Sequence, residues 1–401
     1  MKRLNKIVLA YSGGLDTSVI IPWLRENYGS RVIAFTADLG QGKDFGLLKK
    51  RAIKSGAYRV YVKDLREKFA KEYVLPTLQA GALYEGKYPL ATALSRPLIA
   101  KEMLKVAEIE KVDGVAHGCS GKGNDQVRFE LTFKSMRPDL EIVAPLREWK
   151  MDSREDEIDY AKKHKIPVDV KKRSPYSIDS NLWGTSIECG ALEDPWREPP
   201  EDAFQITKSS EKAPQKPRYI EIDFEKGCPI AVDGHRMGLV PLIDRLNKIG
   251  ALHGIGRIDM VENRLVGIKS REVYEAPGAT ILLKAHQELE SLVLDRETFH
   301  HKSLVSHHYA NLIYYGLWDL PLREAIARFV QSTERYVKGR VRVKLYKGSC
   351  VIVGRRSPFS MYDRKLATYD KDDVFEHKKS EGFIDLWGLP LEVMASRKKK
   401  R

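Results

Sequence analysis

Residues 10–18, AYSGGLDTS, decide how the first part of the chain folds. The apolar residues 6–11 predict a buried strand, and residues 15–27 predict a helix with a kink at Pro22. The two adjacent glycines between them permit positive φ and a close approach of the backbone to a ligand. Because N–H groups at a helix start carry positive partial charge, this strand–turn–helix junction predicts an anion site.

The polar side chains of this stretch add chemistry to the anion site. Ser12, Thr17 and Ser18 offer hydroxyl donors, and Asp16 places a carboxylate where a Mg²⁺ ion or an attacking group is held. The stretch lacks the GK[ST] ending of a Walker A loop. A turn that only caps the helix is the alternative, but the acid within the turn favours the anion site.

The first 150 residues alternate between strand-like and helix-like segments, which predicts an α/β fold. The expected arrangement is a doubly wound, mostly parallel sheet covered by helices on both faces. Strands are predicted at residues 6–11, 31–36, 58–62, 112–117 and 141–145, and helices at 15–27, 45–55 and 89–110, the last of them amphipathic.

After about residue 165 the pattern becomes that of an α+β domain. Residues 219–224 alternate like an exposed strand, and residues 228–232 are their hairpin partner. Further elements are predicted as strands at 265–268 and 341–353, the latter broken at Lys347 and Gly348, and as helices at 239–249, 280–297 and 322–334.

Composition excludes several classes of protein. The chain has 401 residues, 42% apolar and 31% charged, which excludes wholesale disorder and fibrous folds. No apolar run is long enough for a membrane span or a signal peptide. Four widely spaced cysteines predict no disulfide framework and fit a cytoplasmic location. The net charge of +14, five units of it from residues 397–401, suits nucleic acid or small anionic substrates.

Residues 117–130, HGCSGKGNDQVRFE, follow the fourth predicted strand. Ligands of doubly wound sheets bind at the carboxyl ends of strands, near the point where the strand order reverses. Arg128 suits a carboxylate and Asp125 suits an ammonium group, so the segment can hold an amino acid at both ends. A glycine-rich surface turn explains the glycines here but leaves the charged residues unexplained.

The first loop resembles the pyrophosphate loop of the ATP pyrophosphatases, the N-type PP-loop superfamily, and both loops together resemble the argininosuccinate synthase family. The similarity extends over nearly the whole chain. It includes residues 35–41 (FTADLGQ), 84–88 (YEGKY), 96–100 (RPLIA), 192–196 (LEDPW), 256–264 (GRIDMVENR), 269–271 (KSR) and 345–348 (LYKG).

This resemblance implies a ligase that joins L-citrulline and L-aspartate into argininosuccinate, releasing AMP and pyrophosphate through a citrullyl-AMP intermediate. It implies ATP with Mg²⁺ as a substrate, the metal lying near Asp16 outside any protein cage, and no tightly bound organic cofactor. It implies a nucleotide-binding domain at residues 1–167, a synthetase domain at 168–356 and a C-terminal oligomerisation arm with a basic tail at 357–401. A homotetramer is implied, without membrane or nucleic-acid partners.

The resemblance also assigns residues to each substrate. ATP contacts are implied for Ala10, Tyr11, Ser12, Gly13, Gly14, Leu15, Asp16, Thr17, Ser18, Ala37 and Gly118. Citrulline contacts are implied for Tyr88, Asn124, Arg128, Ser177, Ser186, Glu262 and Tyr274. Aspartate contacts are implied for Ser120, Asn124 and Asp125, and catalytic roles for Asp16, Ser18 and Asp125.

Some positions depart from the commonest family pattern. Ala93 stands where many members carry a serine that contacts citrulline, and the neighbouring Thr92 is the candidate to replace that hydroxyl. Ser120 replaces a threonine, and Glu272 replaces a glycine. None of these changes removes a charge that the chemistry needs, so we expect them to affect affinity rather than activity.

Two other functions compete with this interpretation. A tRNA-thiolating enzyme would use the same loop with a catalytic pair of cysteines, Cys119 and Cys189, and the basic charge favours it. Cys119, however, lies inside the segment that matches the amino-acid-binding loop. A nucleotide-sensing or RNA-binding module would use the basic tail, residues 397–401, which is more simply interpreted as a solvated terminus.

Overall fold

The computed structural model describes residues 3–151, 153–167 and 175–398. The chain forms two compact units, Met1–Pro358 and Phe359–Arg401. Residue 168, the predicted start of the second domain, and residues 399–401 of the basic tail lie outside the described residues. Within the described part of the chain, no helix is long and apolar enough to cross a membrane.

The parallel sheet predicted from the first 150 residues is confirmed. Its strands are β1 (Lys6–Ala10), β2 (Arg31–Asp38), β3 (Arg59–Asp64), β4 (Gly114–Ala116) and β5 (Glu141–Val143). The accompanying helices are α1 (Leu15–Tyr28), α2 (Phe45–Lys54), α3 (Arg66–Lys68), α4 (Leu75–Gln79), α5 (Ala91–Glu110), α6 (Asp125–Met136) and α7 (Arg154–Lys163). All neighbouring strands are parallel, in the order β3-β2-β1-β4-β5. The order reverses between β1 and β4, where such sheets bind ligands.

The rest of the first unit has two antiparallel sheets, as expected for an α+β domain. Its strands are β6 (Ser177–Asn181), β7 (Gly184–Glu188), β8 (Arg218–Glu225), β9 (Cys228–Val232), β10 (His235–Arg236), β11 (Arg257–Asn263), β12 (Lys269–Glu275), β13 (Gly339–Tyr346) and β14 (Ser349–Arg356). Its helices are α8 (Leu239–Leu252), α9 (Pro277–Val293), α10 (Arg296–Tyr314) and α11 (Pro321–Thr333). One sheet has the order β11-β12-β7-β6 and the other β10-β9-β8-β13-β14. The predicted hairpin of β8 with β9 is confirmed.

Two predicted elements were wrong. Residues 265–268 form the turn between β11 and β12, where Gly267 has a φ of +86°, and not a strand. Residues 280–297 belong to two helices, because the backbone becomes extended at Leu294. Asp295 then begins α10 by accepting a hydrogen bond from the Thr298 N–H, which is an ordinary N-cap.

Helix α5 is buried on nearly all sides, so the prediction of an amphipathic helix was also wrong. It packs against β1 and β4 of the parallel sheet and against β6 and β7 of the antiparallel sheet. A helix covered on both sides has no broad polar face. Its buried Glu102 is paired with Lys63, Lys68 and Lys105. Helix α5 therefore fixes the distance between the two sheets.

A buried charge network holds together helices in the part of the first unit that follows the parallel sheet. His286 Nε2 lies 2.8 Å from Glu334, and the Lys302 ammonium bonds both Glu290 and Glu334. Burial alone would lower the pKa of His286, but the two carboxylates raise it to about 9. His286, Glu290 and Glu334 are also the one described group whose spacing fits a metal ion. Since the ammonium already bridges its carboxylates, we interpret the group as an ion-pair network.

The second unit contains helices α12 (Arg364–Ala367) and α13 (Lys379–Lys398). Large apolar side chains of α13 are exposed, among them Phe383, Leu386 and Trp387. Exposed apolar surface of this extent is typical of an interface with another protein.

We predict that Gly256→Ala lowers the free energy of unfolding more than Gly267→Ala. Both glycines have positive φ, which costs an alanine about 1–2 kcal/mol. A Cβ at Gly256 would also lie 2.6 Å from backbone atoms of Ala276 and Pro277, whereas Gly267 faces open space. Urea unfolding of both variants measures the difference, and equal losses would contradict the close packing before β11.

Candidate active site

The loop that follows β1 leaves the start of α1 open to a ligand. Gly13 has a φ of +79°, and a Cβ there would lie 2.1 Å from the side chain of Leu48. Gly14 is the N-cap of α1 and provides no side-chain hydrogen bond to the helix. The first N–H groups of a helix have no partner within it, so those of α1 are available to an anion.

Hydroxyl groups fix the shape of this loop. Ser18 is fully buried, its Oγ donates to the Gly14 carbonyl oxygen at 2.7 Å, and the Tyr11 hydroxyl lies 3.1 Å from the same Oγ. Ser12 Oγ lies 3.1 Å from Thr17 Oγ1. Ser18, predicted to be catalytic, therefore uses its hydroxyl in this structure to hold the loop.

Two cations contact the same loop from α2 and the segment before it. Arg51 donates to the Gly13 carbonyl oxygen at 2.6 Å, and Lys43 donates to the Ser12 carbonyl oxygen at 3.1 Å. Neither residue was predicted as a site residue, because no local pattern links them to a loop more than thirty positions away. They add positive charge where the backbone already favours an anion.

Asp16 lies on the first turn of α1, beside Glu157 of α7. Burial and then the Asp16 carboxylate raise the pKa of Glu157 to about 8. Glu157 is therefore largely protonated at neutral pH. A carboxylate beside the loop that follows β1 suits contact with a Mg²⁺ ion whose other ligands are phosphate oxygens and water.

Asp125, at the start of α6, is half-buried between two arginines. Arg96 of α5 donates to its Oδ2 at 2.9 and 2.7 Å, and Arg128 donates to its Oδ1 at 2.9 Å. Arg96 also donates to Asp179 of β6 at 2.6 Å. Burial alone would raise the pKa of Asp125, but the two guanidinium groups hold it below its usual value. Asp125 is therefore an anion at neutral pH, and an ammonium ligand would meet a carboxylate that already has cationic partners.

Asn124 and Arg128 connect the part of the first unit that contains the parallel sheet with the part that contains the antiparallel sheets. Asn124 Nδ2 donates to the Tyr314 hydroxyl at 2.7 Å, and its Oδ1 accepts from the Leu265 N–H at 2.9 Å. Arg128 donates from Nε to the Tyr314 carbonyl oxygen at 3.1 Å. Its buried Nη2 has no hydrogen-bond partner among the described residues. A guanidinium group with an N–H left unpaired by the protein is suited to a ligand carboxylate.

The sheet β11-β12-β7-β6 presents one polar face to the loops. Alternate residues of a strand point to the same face, and the register pairs Ser177 with Glu188, Asp179 with Ser186, and Ser186 with Tyr274. Glu262 accepts hydrogen bonds from the Tyr274 hydroxyl at 2.6 Å and the Tyr314 hydroxyl at 2.5 Å. Burial raises the pKa of Glu262, and these hydroxyls partly oppose that shift.

Arg264 lies between two carboxylates of this face, Glu188 and Glu272, and bonds both. It also donates a hydrogen bond at 3.4 Å to the carbonyl oxygen of Lys122, within the loop at residues 117–124. Burial and then the Glu188 carboxylate raise the pKa of Glu272 to about 9, despite the guanidinium. Glu272, a departure from the family pattern, therefore belongs to a buried cluster on the cavity wall.

A cavity of about 540 Å³ is bounded by both loops, by α5 and by the polar sheet face. The predicted site residues that line it are Ala10, Tyr11, Ser12, Asp16, Thr17, Ala37, Tyr88, Gly118, Ser120, Asn124, Asp125, Arg128, Ser177, Ser186, Glu262 and Tyr274. The lining does not include Gly13, Gly14, Leu15 and Ser18. Charged wall residues that were not predicted to bind a substrate include Lys43, Arg96, Asp179, Glu188, Arg264 and Glu272.

The hydroxyl of Thr92 lies on the cavity wall, 3.1 Å from Ser186 Oγ, whereas Ala93 is buried beside it. The structure thus provides a hydroxyl next to the position where the family pattern has a serine. Cys119 also lines the cavity, but burial raises the pKa of its thiol. Nucleophilic cysteines have lowered pKa values, so Cys119 does not have the character that thiolation requires.

A parallel sheet with an anion loop at its switch point, facing a polar sheet across one cavity, defines the class of ATP-utilising synthetases with a HUP domain. Residues 6–167 match the family description "Arginosuccinate synthase N-terminal HUP domain", and residues 176–394 match "Arginosuccinate synthase C-terminal domain". The chain is 58% identical over 395 residues to argininosuccinate synthase of Carboxydothermus hydrogenoformans, covering 98% of each chain. It is 56% identical over 400 residues to that of Bacillus licheniformis, covering 100% of this chain and 99% of the relative.

The chain belongs to the argininosuccinate synthase family. It is therefore an enzyme, a ligase of arginine biosynthesis, and the comparisons do not favour the tRNA-thiolating alternative.

We predict that Glu272→Gln reduces the pH dependence of stability. With a pKa near 9 in the folded chain and about 4.3 when unfolded, Glu272 binds a proton on folding. The wild type therefore loses unfolding free energy as pH rises from 5 to about 9, since the unfolded chain binds fewer protons. Urea midpoints at the two ends of this range should differ less in Glu272→Gln than in the wild type or in the exposed control Glu198→Gln. Equal differences in all three proteins would contradict the shifted pKa.

Proposed function

We propose that this protein joins L-citrulline to L-aspartate and converts ATP to AMP and pyrophosphate through citrullyl-AMP. One observation carries the proposal: a single cavity is lined both by Ser12, Asp16 and Thr17 around the start of α1 and by Arg128. The first feature suits the phosphates of ATP, and the second suits the carboxylate of an amino acid.

In the first step we propose that the ureido oxygen of citrulline attacks the α-phosphorus of ATP. The bond between the α-phosphorus and the bridging oxygen breaks, and pyrophosphate leaves with the electron pair. Mg²⁺ arrives with ATP, and Asp16 is the carboxylate placed to contact it. The protein supplies positioning and charge stabilisation, which account for most catalysis of phosphoryl-group chemistry.

We propose that citrulline lies along the polar sheet face. Arg128 would bind its carboxylate, while Tyr88, Ser177, Ser186, Glu262 and Tyr274 surround the remainder of the molecule. Glu262 is held between two tyrosine hydroxyls, so its carboxylate has a fixed orientation. Fixed polar groups of this kind lower the entropy cost of aligning the attacking oxygen.

In the second step the amino group of aspartate attacks the activated carbon, and AMP leaves. Ser120, Asn124 and Asp125 are the residues we propose for aspartate. Asp125 already accepts hydrogen bonds from Arg96 and Arg128, so it contributes a charge balanced by those arginines. The same ion pairs would position the aspartate next to the citrulline site.

We propose a homotetramer in the cytoplasm. All four cysteines are free thiols, which fits a reducing compartment. The exposed apolar residues of α13 are the surface that we assign to contacts between subunits.

The proposed reaction predicts that pyrophosphate release from Mg-ATP requires both amino acids for continuous turnover. Citrulline alone should support at most one equivalent per site, since the adenylate accumulates until aspartate reacts. The measurement is a coupled pyrophosphate assay with each substrate omitted in turn. Release that depends on tRNA and a sulfur donor would contradict the substrate assignment.

Arg128→Lys provides the matched variant for that assay. Lysine keeps the positive charge but loses the planar guanidinium, so KM for citrulline should rise by about 10-fold or more with KM for ATP unchanged. Arg137→Lys, at the exposed end of α6, is the control.

We predict that Leu386→Asp with Trp387→Ser converts the tetramer into smaller species. Both residues are more than 70% exposed in the single chain, so the substitutions remove apolar contact area without opening a core. Sedimentation at several protein concentrations measures the outcome. A wild-type monomer, or a variant that remains tetrameric, would overturn the assignment of α13.

A further inference from the structure

Lys43 differs from the other lysine and arginine residues of the cavity wall in having no carboxylate partner. Arg96, Arg128 and Arg264 are each paired with one or two carboxylates. Within the described chain, Lys43 has none within 4 Å, and its Nζ donates to the Ser12 carbonyl oxygen at 3.1 Å. Its charge is therefore available to a ligand that enters the cavity.

A triphosphate in this cavity needs such a charge. The start of α1 provides N–H groups and a partial positive charge, but no full charge. Arg51 is bonded to the Gly13 carbonyl oxygen and does not line the cavity. Three arginines of the wall are neutralised by carboxylates, so among the described residues Lys43 is the remaining full positive charge of the cavity wall itself.

The segment that carries Lys43 is fixed on both sides of it. Gln41 bonds the Ala37 carbonyl oxygen and the Leu39 N–H, each at 2.6 Å, and Asp44 caps α2 by accepting from the Leu47 N–H at 3.0 Å. Gly42 lies in open space between these anchors. The lysine side chain has a flexible four-carbon stem, so its ammonium can turn from the Ser12 carbonyl oxygen to a phosphate oxygen.

We propose that Lys43 binds the pyrophosphate portion of ATP and neutralises the charge that forms there as pyrophosphate leaves. The electron pair of the breaking phosphorus–oxygen bond moves onto the pyrophosphate oxygen, and Lys43 remains protonated throughout. This role rests on the adenylation step proposed above. Lys43 acts only in that step and not in the attack by aspartate.

The test compares Lys43→Ala and Lys43→Gln with Lys49→Ala, which removes an exposed charge from α2. Loss of one charge-assisted hydrogen bond predicts a fall in kcat/KM for ATP of about 10- to 100-fold in both Lys43 variants. The inhibition constant of pyrophosphate should rise by a similar factor. KM for citrulline and for aspartate should not change, and Lys43→Arg should restore most of the activity.

Kinetics of Lys43→Ala and Lys43→Gln equal to those of Lys49→Ala would overturn the proposal. An effect on KM for citrulline alone would also overturn it, since that points to a disturbed loop. Calorimetric binding of pyrophosphate to the full-length proteins separates this proposal from the proposed function. If the wild type makes no argininosuccinate, weaker pyrophosphate binding by the Lys43 variants still supports Lys43, and unchanged binding overturns it.

Discussion

The pairing of one half-buried carboxylate, Asp125, with two arginines is the constraint on which the site depends. A buried charge is tolerated only when it is paired and hydrogen-bonded, and Asp125 has both Arg96 and Arg128 as partners. Arg96 extends from α5 to Asp179 on the antiparallel sheet, and Arg128 extends to Tyr314 at the end of α10. Removing Asp125 would take a shared carboxylate from the buried Arg128 and the half-buried Arg96, so this contact holds residues 117–130 against both sheets.

The cavity follows from the way α5 separates the two sheets. On one side, β1 and β4 end at the switch point and give the loops that favour anions. On the other side, antiparallel register places serines, tyrosines and carboxylates on one face. Charges of the described wall residues are mostly balanced internally, and we assign the two anionic groups to Lys43, which has no carboxylate partner there, and to Arg128.

Much of the fold could be predicted because its signals are local. The strand, glycine turn and helix around residues 10–18 are adjacent in the sequence, and the alternating strands and helices of the first 150 residues are short and apolar. The errors arose where one residue overrode a periodic pattern. Residues 265–268 look like a strand, but Gly267 turns the chain, and Asp295 begins a new helix inside an apparently continuous one.

The site could be predicted only in part from the residues themselves. The two loops were recognisable, and resemblance supplied the positions on the antiparallel sheet. The sequence analysis missed Arg96, Lys43 and Arg264. The hydrogen-bond partners of Arg96 and Lys43 are distant in the sequence. Arg264 bonds Glu272 in a cluster that forms only because β11 pairs with β12 in this register. The burial of Ser18 could not be predicted either, because the sequence does not show whether a hydroxyl at a helix start faces a ligand or the loop.

The central claim is that the ureido oxygen of citrulline reaches the α-phosphorus of ATP within this one cavity. Citrulline labelled with ¹⁸O in the ureido group tests it most directly, with mass spectrometry of the AMP and pyrophosphate formed during complete turnover. We predict one ¹⁸O atom in AMP and none in pyrophosphate. Label in pyrophosphate, or unlabelled AMP from fully labelled citrulline, would contradict the claim.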